Sequence, residues 1–593
     1  MNSNPLLTLV AVLTVGTLGG WVSVAQSAEL EPPADLILHN GKILTVDEDF
    51  SIVEAVAIRG GRILKVGTNA EILATRGDQT EVRDLEGKMV LPGLIDSHVH
   101  PSSAAMHEFD HEIPDMHSID DVLAYIRHRA EALDEGEWIV LRQVFITRLA
   151  ERRYPTKEEL DQAAPKHPVL FSTGPDASVN SLALKLSGID KDFQVTGNGQ
   201  IEKDPETGEP TGILRAATRY VKSRTKGKAA TEQDRYDRLL KLFHDYSSVG
   251  ITAICDRGAS AGSVGRMHRM ETNGELPLRV SASWRIGTDR RIEAIQEQIQ
   301  EIAQHPLTRK GEMVRIIGVK TFLDGGMLTG SAFMRRPWGE SEIYSITDAS
   351  YRGLQFIPRE QLLPIVQATV DAGLQFTAHS VGDGAVHLLL DVYDEVNRTT
   401  PIRETTPCIT HSNFMSREAV EQAAKLGVVA DIQPAWLYLD AETLRAQFGD
   451  QRLRYFQPLR SAFEAGMVVG GGSDHMQKIG SFRSVNPYNP FLGMAVTIAR
   501  TARDGLQPLH AVESLSREQA IRFYTANNAQ VIRRVDEIGT LEPGKYADLI
   551  VIDRDLLTCD VGDIPETQVL ATYVSGKVVG AVRQTSPSEP NQD

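Results

Sequence analysis

Cysteine is scarce in this chain, which has three in 593 residues, at positions 255, 408 and 559. An odd number of widely spaced cysteines predicts neither a disulfide framework nor a paired-cysteine metal site. Basic residues are also in deficit, because 62 Lys and Arg face 79 Asp and Glu and give a net charge of -17. Proteins that bind phosphate backbones concentrate basic side chains, so we expect no nucleic-acid partner.

Long apolar runs are missing after the first 24 residues. Residues 6–24 are apolar and end in small residues around Ala25 and Ala28, and the first charge comes at Glu29. This pattern predicts a signal peptide over residues 1–28 and a protein exported to the periplasm or secreted. The alternative is an uncleaved membrane anchor, since no Lys or Arg precedes the run and a span needs about 20 residues.

Nucleotide-binding motifs are absent as well. The chain has no GxxxxGK[ST] loop, and its glycine pairs do not form GxGxxG after a strand, so no nucleotide cofactor is expected. What is present is a globular composition, with 41% hydrophobic and 24% charged residues and 48 glycines without a short repeat. That length and composition predict a large domain with a smaller one beside it.

The sequence patterns at both ends of the chain predict β-strands. From residue 36 to residue 90, short apolar runs alternate with glycine turns such as Asn40-Gly41 and Gly60-Gly61. The same texture returns in residues 547–552 and 573–579. We therefore predict one small β-sandwich domain built from residues 34–90 plus 535–583.

The middle of the chain, residues 91–534, alternates apolar strand-like runs with helical stretches, which predicts an α/β fold with a parallel sheet. Eight runs close most simply into a (β/α)8 TIM-like barrel. They are residues 93–99, 251–255, 278–284, 314–322, 375–379, 408–411, 428–433 and 467–471. Helices are predicted at 291–303, 359–372 and 417–425. The long gap after the first run predicts an α/β subdomain inserted at about 110–245, over the barrel mouth.

Two histidines end the first run, in Asp96-Ser97-His98-Val99-His100. Because side chains on a strand alternate, one intervening residue places both imidazoles on the same side. Neutral imidazole is a common ligand of zinc, so His98 and His100 are candidate metal ligands.

Four more candidates stand at the ends of later runs. They are Lys320, His379, His411 and Asp474, each at or just after the carboxyl end of a predicted barrel strand. Active sites of such barrels form at that end. The repeated placement therefore predicts one site that gathers these groups.

Five segments carry a family resemblance, and they are Leu91–His100, Gly318–Gly325, Ala378–Asp383, Gly472–Asp474 and Gly539–Asp548. In order and spacing they resemble the amidohydrolase superfamily, in its amidohydrolase 3 branch of N-substituted formamide deformylase-like hydrolases. The resemblance implies a barrel that carries one or two divalent metal ions, commonly zinc. It further implies that His98, His100 and Asp474 hold the first ion. N-carboxylated Lys320 would bridge to a second ion held by His379 and His411.

The resemblance also implies a reaction, the hydrolysis of a C–N bond in a small molecule such as an amide, an N-acyl compound or a cyclic amide. A cation activates water, and Asp474 acts as general base and then general acid. An ammonium group has no lone pair for a cation, so Lys320 ligates only when it is carboxylated.

Two other readings stay open. His107, Glu108 and His111 match HExxH, the zinc motif of metalloproteases, although Pro114 would stop the long helix that this motif needs. The second reading is a barrel that binds a ligand or regulates without catalysis, because a fold does not fix a function.

Overall fold

The computed structural model describes residues 33–581 except 175, 197, 198, 226 and 506. The predicted signal peptide, residues 1–28, lies outside the described residues. Within them, no helix combines the length and the apolar character that a membrane crossing requires.

A parallel sheet of eight strands forms the centre of the molecule. We number its strands β1 to β8, and they are Leu94–Val99, Ile251–Ala259, Arg279–Arg285, Val314–Phe322, Gln375–Ser380, Cys408–His411, Val429–Ile432 and Val469–Gly471. Each strand pairs in parallel with the next one along the chain. Their nearly continuous burial is typical of parallel strands that are covered on both faces.

The last strand returns to the first. Val99 and His475 form a parallel bridge, and the backbone N–H of His100 donates to the His475 carbonyl at 2.8 Å. The sheet is therefore a nearly closed eight-stranded barrel, which confirms the predicted fold class. Each of the eight predicted runs overlaps one barrel strand.

Helices surround the barrel and fill its connections. Helix Ile292–Gln304, for example, turns Ile295, Ile299 and Ile302 inward, a spacing that places all three on one face. The helices are Asn69–Leu73, Pro101–Met106, Ile119–Ala132, Lys157–Ala163, Ser181–Ser187, Glu232–Ser248, Ala261–Thr272, Ile292–Gln304, Pro306–Lys310, Arg359–Asp371, Asp383–Asn397, Arg417–Leu426, Pro434–Arg452, Leu459–Glu464, Pro490–Ala499, Arg517–Tyr524 and Ala526–Val531. The three predicted helices are confirmed to within one residue at each end.

Two further sheets are built from the chain ends. The four-stranded sheet contains, in order, Arg62–Gly67, Ala55–Arg59, Leu36–His39 and Glu81–Asp84. The six-stranded sheet contains Lys577–Ala581, Val569–Val574, Leu549–Ile552, Met89–Pro92, Lys42–Leu44 and Ile52–Val53. The second sheet thus joins strands from both ends of the chain.

A separate five-stranded sheet follows β1. Its order is Gln200–Lys203, Pro210–Arg215, Ala177–Val179, Val169–Ser172 and Ile139–Arg142. Helix Glu232–Ser248 then leads into β2 and shares the barrel's hydrophobic core. The sheet falls within the predicted insertion at about 110–245, while the exact domain boundaries stay predictions.

Candidate metal centre

Three candidate ligands meet where β1 and β8 end. His98 Nε2 lies 3.3 Å from His100 Nε2, and Asp474 Oδ1 lies 3.4 Å from His98 Nε2 and 3.3 Å from His100 Nε2. One ligand atom from each residue lies within 4.8 Å of the others. Two imidazoles and a carboxylate at these spacings form a donor set that suits zinc.

Buried contacts between β1 and the chain after β8 fix this arrangement. Asp96 Oδ1 accepts from the backbone N–H groups of His98 and Ser473, at 3.0 Å each. The N–H of Asp474 donates to the His98 carbonyl at 2.8 Å. Asp474 itself takes a left-handed backbone conformation, with φ of 54°, which is uncommon for a residue with a side chain and is found at functional sites.

The remaining histidines join the first cluster through ring contacts. The His411 ring centre lies 4.8 Å from that of His98 and 4.5 Å from that of His379. Trp436 stacks on His411, and the two ring centres lie 4.6 Å apart. The structure therefore brings His98, His100, His379, His411 and Asp474 into one cluster.

Hydrogen bonds leave a lone pair on a ring nitrogen of three of these histidines. His98 Nδ1 donates to Asp431 Oδ1 at 2.9 Å, and His411 Nδ1 donates to Gln433 Oε1 at 2.7 Å. His379 Nε2 donates to the Gly325 carbonyl at 3.3 Å. In each ring the second nitrogen is then unprotonated, the form that a cation needs. Burial lowers the pKa of His379 to about 3, and it also lowers that of His98 and His411, so neutral rings are favoured.

Lys320 lies in the same buried region, and among the described residues its side chain forms no hydrogen bond and no ion pair. It is 1% exposed, and its ammonium lies 5.4 Å from the centre of the Phe322 ring. Burial lowers its pKa to about 8, against the opposing attraction of Asp431 and Asp474. Its role as a ligand, like the ligand assignments of the other five residues, stays a prediction.

Access to the cluster is one-sided. The side chains of His100 and His379 are 25% and 15% exposed, whereas His98, Lys320, His411 and Asp474 are buried. A substrate must therefore approach past His100 and His379.

Sequence reasoning missed the residues that orient the histidines. Asp431 on β7 holds His98 and also accepts from Arg257, Gln433 and Thr410, at 3.1, 3.1 and 3.2 Å. The signal was available, because Asp431 is an acidic residue inside the apolar run 428–433. A buried carboxylate in a barrel strand needs partners, and this one has five, since the Cys408 thiol also donates to it at 3.7 Å.

The HExxH reading finds no support in the described residues. Helix Pro101–Met106 ends before the motif, so His107 and His111 do not lie one turn apart on a helix. Glu108 instead pairs with Arg483 at 3.2 Å, and His111 contacts Asp110 and Tyr125. His107, Glu108 and His111 therefore do not form the helical zinc site of a metalloprotease.

A nearly closed parallel barrel with a candidate His-His-Asp metal site at the carboxyl ends of its strands is an arrangement typical of metal-dependent barrel hydrolases. Comparison with known proteins then places the chain more closely. The model of the Amidohydrolase family matches residues 81–580. The chain belongs to this family and is a metal-dependent amidohydrolase that acts on carbon–nitrogen bonds other than peptide bonds, as the sequence predicts.

Individual relatives agree with this assignment. N-substituted formamide deformylase of Arthrobacter pascens is 30% identical over 91% of this chain and 97% of its own length. Putative amidohydrolase YtcJ of Bacillus subtilis is 23% identical over 92% and 99%. Among solved structures, an uncharacterized metal-dependent hydrolase from Pyrococcus horikoshii has a TM-score of 0.64 at 22% identity, covering 89% of this chain and 99% of that one. The last comparison concerns the fold alone.

Proposed function

We propose that this protein is exported and hydrolyses an amide, N-acyl or cyclic amide bond of a small molecule, with Asp474 as general base and general acid. The observation that carries the proposal is the position of Asp474, whose Oδ1 lies 3.3 to 3.4 Å from the ring nitrogens of His98 and His100. The name of the Arthrobacter pascens relative, N-substituted formamide deformylase, makes N-substituted formamides the first substrates to test.

The donor set fits one or two zinc ions. His98, His100 and Asp474 would hold one ion, and His379 and His411, with their free ring nitrogens, would hold another. Lys320 would bridge them after its neutral amine adds to carbon dioxide, which forms an N–C bond, releases a proton and leaves an anionic carbamate. The lowered pKa of Lys320 supports this step, because it raises the fraction of neutral amine. When bound, the cation supplies Lewis acidity, which activates water and polarises a carbonyl.

Asp474 carries the proton through the reaction. Its carboxylate takes a proton from the water that attacks the carbonyl carbon, and it delivers that proton to the nitrogen when the C–N bond breaks. Only 4% of Asp474 is exposed, so its charge acts with little screening by solvent. The fixed backbone around Asp474 keeps the carboxylate aligned with the reacting atoms.

The test is a panel of N-substituted formamides, N-acyl compounds and cyclic amides, offered to the mature protein loaded with zinc. We expect turnover of at least one class, and loss of about a thousand-fold or more in kcat for Asp474→Asn, in the range for removal of an essential proton carrier. Equal turnover by wild-type protein and Asp474→Asn would reject the mechanism.

Glu108→Gln serves as the matched control. Because Glu108 pairs with Arg483 and is not part of the His-His-Asp cluster, the isosteric substitution should leave kcat within about two-fold. Loss of activity in Glu108→Gln alone would favour the HExxH reading instead. Metal analysis completes the test, since one or two zinc equivalents per chain are expected.

A further inference from the structure

Arg285 ends β3 at the mouth of the barrel, beside the candidate metal centre. It is the register partner of Lys320 on β4, and the N–H of Ile286 donates to the Lys320 carbonyl at 3.0 Å. Partners in register on parallel strands project from the same face of a sheet. The side chain of Arg285 therefore lies on the same face of the sheet as that of Lys320.

One aromatic side chain connects Arg285 with that cluster. Phe322 follows Lys320 by two residues and is the register partner of His379 on β5. The Phe322 ring centre lies 5.3 Å from the Arg285 guanidinium carbon and 5.3 Å from the His379 ring centre. Arg285 is exposed, and it stands on the side where His379 admits solvent.

The guanidinium of Arg285 keeps its hydrogen-bonding capacity. Among the described residues it makes no hydrogen bond and no ion pair, and its contact with Phe322 uses the ring and none of its N–H donors. Arginine presents a planar fork of donors that matches a carboxylate, and it stays charged at any working pH. In a chain with a net charge of -17, one cation at the mouth attracts anions to a place that the overall charge disfavours.

We propose that Arg285 binds a carboxylate of the substrate, so that the preferred substrates are anionic amides such as N-acyl amino acids. Phe322 holds the guanidinium beside His379, and the carboxylate and the scissile bond of the substrate are joined by a short spacer. This inference rests on the proposed hydrolase function and adds the charge of the substrate to it.

Two formamides that differ only in a carboxylate give the test. They are N-formylphenylalanine and N-(2-phenylethyl)formamide, and kcat/KM is measured for each with zinc-loaded protein. We expect the acid to be preferred, and Arg285→Gln to lower its kcat/KM by roughly ten- to a hundred-fold, as for loss of a charged hydrogen bond. The neutral formamide should react at an unchanged rate, which also shows that the variant is folded. Arg285→Lys should restore part of the loss, since it keeps the charge but not the fork.

Arg76→Gln is the matched control, because Arg76 is exposed and follows helix Asn69–Leu73, in the part of the chain that forms the small sheets. It should change neither substrate. A loss of equal size for both formamides in Arg285→Gln, or no loss for the acid, would overturn the proposal while leaving the hydrolase function intact.

Binding separates the two hypotheses when turnover fails. N-formylphenylalanine is titrated by calorimetry into Asp474→Asn, with and without Arg285→Gln. Weaker binding in the double variant supports the carboxylate site even if no amide is hydrolysed above the Asp474→Asn blank, an outcome that would reject only the proposed function. Equal binding by both proteins would overturn the carboxylate site.

Discussion

His98 Nδ1 donates to Asp431 Oδ1 at 2.9 Å, and both side chains are fully buried. The carboxylate fixes the tautomer of the ring, because Nδ1 must carry the proton and Nε2 is left to face His100 and Asp474. Asp431 is fixed in turn by Arg257, whose Nε lies 3.1 Å from Oδ2. The barrel interior thus supplies a charged support next to the candidate metal centre. Carboxylate–histidine pairs of this kind raise the basicity of histidines that bind metals.

Replacing Asp431 should therefore weaken zinc binding. In Asp431→Asn the residue keeps its shape but loses the charge that holds the His98 proton, and we expect the zinc dissociation constant to rise about 10- to 100-fold. Competition with a chromophoric chelator measures this constant. The control is Asp394→Asn. Asp394 lies on helix Asp383–Asn397, and the substitution removes its surface ion pair with Arg398. An unchanged constant in Asp431→Asn would show that His98 needs no such support.

Arg257 should matter for stability more than for binding. It lies inside the barrel at 0% exposure, and it donates to the Ser97 carbonyl, Ser283 and Gln375 besides pairing with Asp431. Arg257→Met leaves the Asp431 charge without its counter-ion, and we expect a loss of about 3–5 kcal/mol in the free energy of unfolding. Denaturant titration of the zinc-free protein measures it. A loss below about 1 kcal/mol would mean that water or a proton neutralises Asp431 in the variant.

Gly472 is expected to be irreplaceable at the end of β8. A Cβ at this position would lie 2.7 Å from His98 Cβ and 2.9 Å from the His98 backbone nitrogen, closer than atoms can pack. Gly472→Ala must therefore push β1 away from the chain after β8 and separate His98 from Asp474, and we expect at least a ten-fold fall in kcat, measured on whichever substrate the panel identifies. Gly262→Ala is the control, because that helical position has open space and alanine favours helices. Full activity in Gly472→Ala would contradict the close approach.

The barrel could be predicted from the sequence because its strands are buried on both faces. Run 314–322 is mostly apolar, with Arg315 near its start, and the candidate site residue Lys320 lies near its end, at the mouth of the barrel. Turns between sheets were harder to interpret. Gly60-Gly61 closes the predicted hairpin between Ala55–Arg59 and Arg62–Gly67, whereas Asn40-Gly41 carries the chain from one sheet to the other. Both turns have the same local chemistry, and only tertiary pairing distinguishes them.

The sequence predicts that His98, His100 and Asp474 lie together, while their role as metal ligands stays a prediction. His98 and His100 were recognised by their spacing, and the structure places their ring nitrogens 3.3 Å apart. Asp431 and Gln433 were not recognised, because one polar residue in a strand gives no sign of which buried group it contacts. The position of Arg285 beside the candidate site is harder still to predict. It depends on the register between β3 and β4, and no local sequence pattern encodes that register.

Asn486 links Arg148, in the segment between β1 and β2, to Asp474. Its Nδ2 donates to the Asp474 carbonyl at 2.9 Å, and its Oδ1 accepts from Arg148 Nη1 at 3.0 Å. Arg148 also pairs with the buried Asp440 at 2.9 Å. The left-handed backbone of Asp474 is thus held by a chain of contacts that begins outside the barrel.

Asn486→Asp should lower kcat while the histidines keep their zinc. The new carboxylate retains an acceptor for Arg148 but turns an oxygen toward the Asp474 carbonyl, and this repulsion displaces Asp474 from its alignment. We expect kcat to fall by roughly ten-fold or more, with the zinc content of the purified protein unchanged. Asn527→Asp is the matched control, because Asn527 Nδ2 donates to the Val469 carbonyl at 2.9 Å, at the opposite end of β8. That variant should lose stability and retain kcat. A fall of equal size in both variants would show that the Asn486 contact supports only the fold.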